Sequence, residues 1–371
     1  MGPLQGIRVV ELAGLGPAPM CGMMLADMGA EVFVVERPGA ASAESSLHAG
    51  RRDMLKRGKV PLSLDLKSPA GVSTLLELLG KADVLIESYR PGVMERLGLG
   101  PERCLECNPQ LVYARLSGWG QTGPLAPYAG HDANYAALSG ALYHSGTADG
   151  VPLAPPTMLG DAAGGAAMLA WGISSALVAA SRRGVGQVVD ASIFEGTTYL
   201  TSLARSFYLN GHLSDERQSG WMDGAAPWAR SYRTRDDGFM TVLAVENKFY
   251  LQFIELLGVR ELEPFCEAGQ WDKSAWPEQV QLLETLFASE DRQHWEALFA
   301  GSDACVSPVL TYGEAARSQH ALARGVFTQV DGQSYPNPAP RFSATPAEPA
   351  WDAIEVDVVS RLEALGISLT D

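Results

Sequence analysis

The sequence predicts an α/β fold, with a large domain built on a mostly parallel sheet and a smaller α+β domain. Short apolar runs alternate with helical patterns over the first two hundred residues, which is typical of βαβ units. Composition changes after about residue 205, where a hairpin pattern and further helical patterns follow. The length of 371 residues also suits two domains of about 100–200 residues each.

The predicted sheet of the large domain comes from short runs of apolar, often β-branched residues. The predicted strands are Ile7–Leu12, Glu31–Glu36, Val60–Leu66, Asp83–Glu87 and Leu111–Leu116. Helical patterns predict helices over Pro19–Met28, Ala70–Lys81 and the Ala- and Gly-rich run Asp161–Arg182. A further short element begins near Val188. This order of elements predicts the mostly parallel sheet.

The smaller domain follows a polar, weakly periodic stretch that suits a linker. An Asp-Gly pair predicts the turn of a hairpin over Ser231–Val245. Phe249–Leu257 and Glu278–Phe299 have helical patterns, and a proline-rich return segment precedes a predicted terminal helix, Val356–Leu365. The predicted boundaries are residues 1–207 and 330–371 for the large domain, 208–229 for the linker and 230–329 for the small domain.

The net charge of −15 and the pI of about 4.9 argue against a nucleic-acid partner, because such proteins normally carry a basic surface. A local positive segment nevertheless runs from Arg51 to Lys67, with six Lys or Arg and two Asp. A polyanion can dock on such a segment. A solvated loop and helix face explains the same composition, so charge alone leaves both interpretations open.

Five cysteines in a chain of this length do not resemble a disulfide framework. Cys104 and Cys107 form a lone C-x-x-C, which chance spacing explains better than a metal or redox site. Because the sequence holds no run of eighteen apolar residues, we expect no membrane span. The beginning of the sequence runs directly into a predicted strand, so we expect a cytoplasmic protein.

The first loop, Gly14–Pro19, resembles the start of a dinucleotide-binding fingerprint, and Glu36 lies where a ribose-binding acid would follow. The third glycine is missing, and two prolines remove backbone N–H groups that would bind a pyrophosphate. A nicotinamide site is therefore not expected. The loop still lies at the carboxyl end of a strand, where open α/β sheets bind ligands.

Four residues are candidates for acid–base chemistry, and each also has a structural interpretation. His131 and Asp132 lie near a predicted helix start, where a histidine titrates near neutral pH but an aspartate also caps helices. Asp161 precedes an apolar helix and lies close to two glycines. It is a candidate for a buried base, a nucleophile or an N-cap. Glu246 follows a strand and is by itself typical of a surface acid.

Several motifs in a fixed order resemble the α-methylacyl-CoA racemases, within the family III CoA-transferase group. The blocks that carry the resemblance span nearly the whole chain and include GIRVVELAGLGPAPM, LSLDLKSPAG, ADVLIESYRPGVMERLGLG, YARLSGWGQTGP, GHDANYAALSG, LGDAAGG and GQVVDASIFEG. The resemblance implies a Rossmann-like large domain, a smaller α+β domain and an interlocked homodimer. It also implies that the active site lies between one chain's large domain and the other chain's small domain.

The same resemblance implies residue roles. His131 and Asp161 would flank C2 of a 2-methylacyl-CoA, Asp132 would partner Asp161, and Glu246 would orient His131. One base removes the C2 proton and the acid opposite returns it, so the centre inverts through an enolate. Backbone N–H groups of the Asp161 loop are the expected donors to the enolate oxygen.

The resemblance further implies that basic residues beside strand ends pair with the phosphates of CoA, namely Arg37, Arg57, Lys59 and Arg90. Beyond the CoA moiety of the acyl-CoA substrate, no cofactor is expected: no metal, no pyridoxal phosphate (PLP) and no NAD. The expected partners are that substrate and a second copy of the chain, with no nucleic acid and no membrane.

Two other functions stay open. Family III transferases keep the acid that matches Asp161 as a covalent carrier, and His131 distinguishes the racemase branch. A thioester-binding paralogue without chemistry is the third hypothesis. Trp228 and Arg230 depart from the family's usual residues, and an arginine at that position would suit a carboxylate on the acyl group.

Overall fold

The computed structural model describes residues 2–39, 53–349, 351 and 358–367. The chain divides into two compact units. The first comprises residues 1–141, 154–200 and 325–371, and the second comprises residues 142–153 and 201–324. Most of the positive segment Arg51–Lys67 is described, but Arg51 and Arg52 lie outside the described residues.

The first unit contains a six-stranded parallel sheet in the order β3-β2-β1-β4-β5-β6. Its strands are β1 Arg8–Leu12, β2 Glu31–Glu36, β3 Lys59–Ser63, β4 Val84–Glu87, β5 Val112–Ser117 and β6 Gln187–Ser192. The predicted parallel sheet is confirmed. Strand order reverses between β1 and β4, and open sheets of this kind bind ligands outside the carboxyl ends of the strands at that point.

Helices cover both faces of this sheet. They are Pro17–Asp27, Pro69–Leu79, Val93–Arg96, Pro101–Cys107, Asp132–Leu138, Met158–Arg183, Ile193–Leu200 and Val358–Ala364. Alternate β1 residues face opposite cores: Val9 packs with Ile173 on one side, and Val10 packs with Leu75 on the other. Two buried layers result, as expected for strands whose two faces are both covered.

The long helix Met158–Arg183 begins as a π-helix over Met158–Ala167 and continues as an α-helix. Among the described residues, it is long and apolar enough to cross a membrane by length and composition alone. Core helices of globular proteins pass the same test, and Leu169 and Ile173 of this helix are buried against the sheet. The run was predicted as a helix closely packed inside the domain; the helix is confirmed, but only one face of it is buried, since Trp171 and Val178 are exposed.

The second unit has a three-stranded antiparallel sheet of β7 Ala229–Arg233, β8 Phe239–Leu243 and β9 Val306–Pro308. The predicted hairpin therefore exists. Its helices are Ser202–Leu209, Asn247–Leu256, Trp276–Phe287, Arg292–Phe299, Tyr312–Ala315 and Gln319–Arg324. The helical run predicted over Glu278–Phe299 is in fact two helices, because residues 288–291 form a break. In the first unit, β10 Phe327–Val330 and β11 Gln333–Pro336 form a further antiparallel pair.

Three segments lie on the other side of the expected domain boundaries. Residues 201–207 belong to the second unit and residues 325–329 to the first. Residues 142–153 also belong to the second unit, although the sequence places them in the large domain. The reason is a set of tertiary contacts that no local pattern shows. The Arg217 guanidinium donates to the carbonyl oxygens of Gly150 and Ser145, and the Tyr143 hydroxyl donates to the carbonyl of Asp215.

Candidate active site

The site begins at the carboxyl end of β1, next to the reversal of strand order. Gly16 ends the loop after β1 with φ of 70°, a backbone region that glycine adopts without strain. A side chain there would place its Cβ 3.6 Å from Asp161 Oδ2. The Asp161 carboxylate therefore lies directly beside the first loop, at the edge where the sequence predicts a ligand.

Two glycines bring the start of the long helix close to its neighbours. A Cβ on Gly164 would lie 2.2 Å from Thr197 Oγ1, and one on Gly165 would lie 2.9 Å from Pro17 Cβ. Both distances are too short for a real side chain, so the predicted tight packing of these glycines is confirmed. This packing holds the Asp161 turn against the first loop.

Asp132 holds the Asp161 turn through the backbone. The N–H groups of Gly160 and Asp161 both donate to Asp132 Oδ1, at 2.8 and 2.7 Å. The Asp132 side chain is buried and occupies the first position of its helix, so it is not the N-cap that its type suggests. These two N–H groups are already engaged, which corrects the expectation that they are the free donors for an enolate oxygen.

Asp161 is also not an N-cap, because the helix that contains it is capped at Thr157. Burial raises the pKa of the Asp161 carboxyl above its ordinary value. The charge of Asp132 raises this pKa further, and His131 lowers it. Asp132 and His131 are therefore both close enough to Asp161 to act on its carboxyl electrostatically.

His131 is exposed and forms the N-cap of the Asp132–Leu138 helix. Its backbone N–H donates to Asn134 Oδ1 at 3.0 Å, which fixes the chain at this point. The site thus combines an exposed imidazole with a half-buried carboxylate whose pKa is raised. Such a pair can serve as base and conjugate acid on a bound substrate.

Sequence reasoning missed one buried group of this site. Tyr135 lies on the same helix as Asp132, and burial together with the Asp161 charge raises the pKa of its phenol to about 12. Its ring packs edge-on against Trp119, with centroids 4.7 Å apart. The spacing offers a signal in retrospect: Tyr135 stands four residues after His131, so both lie on one side of the helix.

Two of the four basic residues assigned to CoA are buried in ion pairs. Arg57 donates to both carboxylate oxygens of Asp27, at 2.9 and 2.5 Å. Lys59 donates to Glu11 Oε2 at 2.6 Å and to the carbonyl of Pro19 at 2.8 Å. A phosphate would have to displace a buried carboxylate from either residue, so direct phosphate pairing by Arg57 and Lys59 does not fit this geometry.

Arg37 and Arg90 fit that role better. Both are exposed, and they follow the carboxyl ends of β2 and β4. A cavity of about 250 Å³ lies nearby, lined among others by Gly14, Glu36 and Lys56. The loops after β1 and β4 also meet, because a Cβ on Gly14 would lie 2.6 Å from Ser88 Oγ. The region is thus concave, and its lining holds both acids (Glu11, Glu36 and Asp53) and lysines (Lys56 and Lys59), with Arg37 directly after Glu36.

The remaining predicted residues belong to the second unit. Glu246 is exposed and caps the Asn247–Leu256 helix without a side-chain capping bond. Trp228 is fully buried, and its indole N–H donates to the carbonyl of Gln270 at 2.9 Å. Arg230 pairs with Glu284 at 3.0 Å. Trp228 is therefore part of the core of this unit rather than an exposed pocket wall.

Sheet order defines a Rossmann-like α/β protein, and its candidate acid–base residues lie at the edge where open sheets of this kind bind ligands. The model of CoA-transferase family III matches residues 4–354. The chain belongs to that family, and the resemblance found in its motifs is confirmed.

Several named proteins are similar to this chain over most of its length. Alpha-methylacyl-CoA racemases of Mus musculus and Homo sapiens are each 44% identical to this chain over 349 residues, which is 94% of this chain and 88% of each relative. Succinyl-CoA:glutarate CoA-transferase of Mus musculus is 29% identical over 92% of this chain and 81% of the relative.

Solved structures agree with the fold. A crystal structure of Rv3272 from M. tuberculosis has a TM-score of 0.77 and 27% identity, covering 94% of this chain and 96% of that one. A CaiB/BaiF family protein from Brucella suis has a TM-score of 0.82 and covers 100% of both chains. At 24% identity, the second comparison shows the fold alone.

Proposed function

We propose that this protein is an acyl-CoA racemase or epimerase that inverts C2 of 2-methylacyl-CoA thioesters. The observation that carries the proposal is the grouping of His131, Asp132 and Asp161 at the ligand-binding edge of the sheet. The 44% identity to proteins named alpha-methylacyl-CoA racemase supports the substrate class.

The proposed reaction is a two-base 1,1-proton transfer. With Asp161 ionised and His131 protonated, the carboxylate takes the C2 proton and the electron pair moves to the thioester oxygen as an enolate. The imidazolium then returns a proton to the opposite face of C2, and the enolate collapses to the inverted thioester. The raised pKa of Asp161 suits this exchange, because the carboxyl must hold the proton it has taken.

The developing enolate charge needs stabilisation at the thioester oxygen. The Gly160 and Asp161 N–H groups are engaged by Asp132, as described above. The source that we propose is the positive end of the Met158–Arg183 helix, whose first turn contains Asp161. In this proposal Asp132 supports catalysis by fixing that turn, and the helix end stabilises the negative charge.

Arg37 and Arg90 bind the CoA phosphates in this proposal. Both side chains are exposed beside strand ends, and an arginine forms paired hydrogen bonds with phosphate oxygens. Arg57 and Lys59 act indirectly by holding the elements around the cavity. No cofactor beyond the CoA moiety takes part in the proposed reaction.

We further propose that the protein is cytoplasmic and forms a homodimer. In this proposal Glu246 orients His131. Large aromatic rings on the first unit support a partner surface: Trp171 and Tyr199 stack with centroids 6.3 Å apart, although they are 59% and 62% exposed. Exposed apolar groups that contact each other commonly mark protein interfaces. The five cysteines are all free, which suits a reducing compartment.

The test uses one pure enantiomer of a 2-methylacyl-CoA, without any free acid acceptor. The racemase proposal predicts loss of chirality at C2, with strong impairment in His131→Ala and Asp161→Ala. If chirality is retained, and CoA moves only after a free carboxylic acid is added, the protein is a transferase that uses Asp161 covalently. If neither reaction occurs although acyl-CoA binds, the non-catalytic hypothesis holds.

A further inference from the structure

Tyr135 is linked to the segments that carry His131 and Asp132 through several independent features. Its side chain is 5% exposed, and the phenol hydroxyl donates to the carbonyl oxygen of Gly130. Gly130 directly precedes His131, so this bond fixes the peptide that leads into the histidine. Tyr135 also shares a helix with Asp132, the residue that holds the Asp161 turn.

The position of the ring is defined by two glycines. A Cβ on Gly118 would lie 2.3 Å from the Tyr135 hydroxyl oxygen, and one on Gly130 would lie 2.7 Å from Tyr135 Cε1. Neither position has room for a side chain, so the phenol passes through a gap that only glycine leaves open. Trp119 closes a further side of the ring.

This enclosure restricts the hydroxyl to one arrangement. The ring is held by packing, the hydroxyl donates to the Gly130 carbonyl, and the Asn134 side chain accepts from the His131 N–H of the same peptide group. The peptide that joins Gly130 to His131 is therefore held at both its C=O and its N–H. The histidine side chain itself is exposed and has no such packing.

We propose that Tyr135 is a positioning residue that sets His131 relative to Asp161 for the proton transfer. The inference rests on the proposed racemase function and deepens it. Tyr135 does not exchange a proton with the substrate, because its hydroxyl is committed to a backbone carbonyl. Its contribution is geometric, and a displacement of about 1 Å in such a constellation can cost about a hundredfold in rate.

The test compares Tyr135→Phe with Tyr128→Phe. Tyr128 is 66% exposed, so its variant removes a phenol hydroxyl without altering a packed ring. For Tyr135→Phe we expect kcat to fall by about 10- to 100-fold while KM changes little, because the ring and the binding surface remain. The control variant should retain the kcat of the original protein.

A second readout does not depend on turnover. The chain has six histidines, so labelling them with ¹³C in the ring gives few NMR signals, and His131→Gln assigns one of them. Tyr135→Phe should move the His131 signal and leave the other five in place. An unmoved His131 signal overturns the inference, as does an unchanged kcat. Movement of all six signals indicates a general loss of structure and also overturns it.

The two readouts separate this inference from the racemase proposal. If the original protein does not invert C2, the proposed function fails, whatever the NMR spectrum shows. If the original protein inverts C2 but Tyr135→Phe behaves like Tyr128→Phe, only the positioning role fails.

Discussion

Asp132 has two separable roles, and two substitutions distinguish them. Its Oδ1 atom accepts from the N–H groups of Gly160 and Asp161, and its charge raises the pKa of Asp161. Asp132→Asn keeps an acceptor oxygen in place but removes the charge. Asp132→Ala removes both.

The expected magnitudes follow from the two bonds. A hydrogen bond to a charged group contributes about 1.5–3 kcal/mol and a neutral one about 0.5–1.5 kcal/mol. Because two bonds to one oxygen are not additive, we expect Asp132→Ala to lower the free energy of unfolding by about 3 kcal/mol. For Asp132→Asn we expect a loss of about 1–2 kcal/mol, because its bonds are those of a neutral acceptor.

The negative charge of Asp132 also affects how the rate of C2 inversion depends on pH. The raised pKa of Asp161 means that its base form appears only at higher pH than for an ordinary aspartate. Asp132→Asn removes the second cause of that rise, so the acidic limb of the pH–rate profile should move to lower pH. The raised pKa also makes ionised Asp161 unfavourable for folding above its folded pKa, and Asp132→Asn reduces this penalty at neutral pH.

Urea denaturation and pH–rate profiles for C2 inversion check these expectations. The reasoning is refuted if Asp132→Ala is as stable as the original protein. It is also refuted if the acidic limb for Asp132→Asn stays in place or moves to higher pH.

Two further predictions concern charged pairs. Lys59→Met leaves the buried Glu11 carboxylate without its partner; the pKa of Glu11 is already raised to about 7 by burial, and losing Lys59 raises it further. We expect a loss of about 3–5 kcal/mol in unfolding free energy at pH 8. The loss should be smaller at pH 6, where protonated Glu11 is neutral. Adding Glu11→Gln to Lys59→Met should restore most of the lost stability. Equal losses at both pH values would contradict the pairing of Lys59 with Glu11. Arg230→Ala should leave the ratio of kcat/KM for dicarboxylic over monocarboxylic acyl-CoAs unchanged, because Glu284 already pairs with Arg230 at 3.0 Å. A fall in that ratio would instead support carboxylate binding by Arg230.

Local sequence patterns were sufficient to predict much of the fold. The alternating apolar runs predicted the parallel strands, and Glu31–Glu36 has the predicted bounds because its run is bordered by glycine-containing turns. The break between Trp276–Phe287 and Arg292–Phe299 was missed, although residues 289–291 are polar and Asp291, the N-cap of the second helix, is a residue type typical of that position. The assignment of residues 142–153 to the second unit depends on contacts with Arg217, which is distant in sequence.

The candidate site was predicted in part. Motif order pointed to His131, Asp132 and Asp161, which the structure brings together. Spacing cannot reveal burial, so it could not show that Arg57 and Lys59 are paired inside the protein. The role of Glu246 stays a prediction.

The most direct test of the two-base account is the isotope content of the inverted product at early times. The protein is incubated in heavy water with one enantiomer of a 2-methylacyl-CoA, and C2 is followed by NMR. Two bases on opposite faces predict that each inverted molecule carries deuterium at C2, because its new hydrogen comes from a group that has exchanged with solvent. Inverted product that retains its original hydrogen would contradict the account, because a single base would then carry the same proton to the other face.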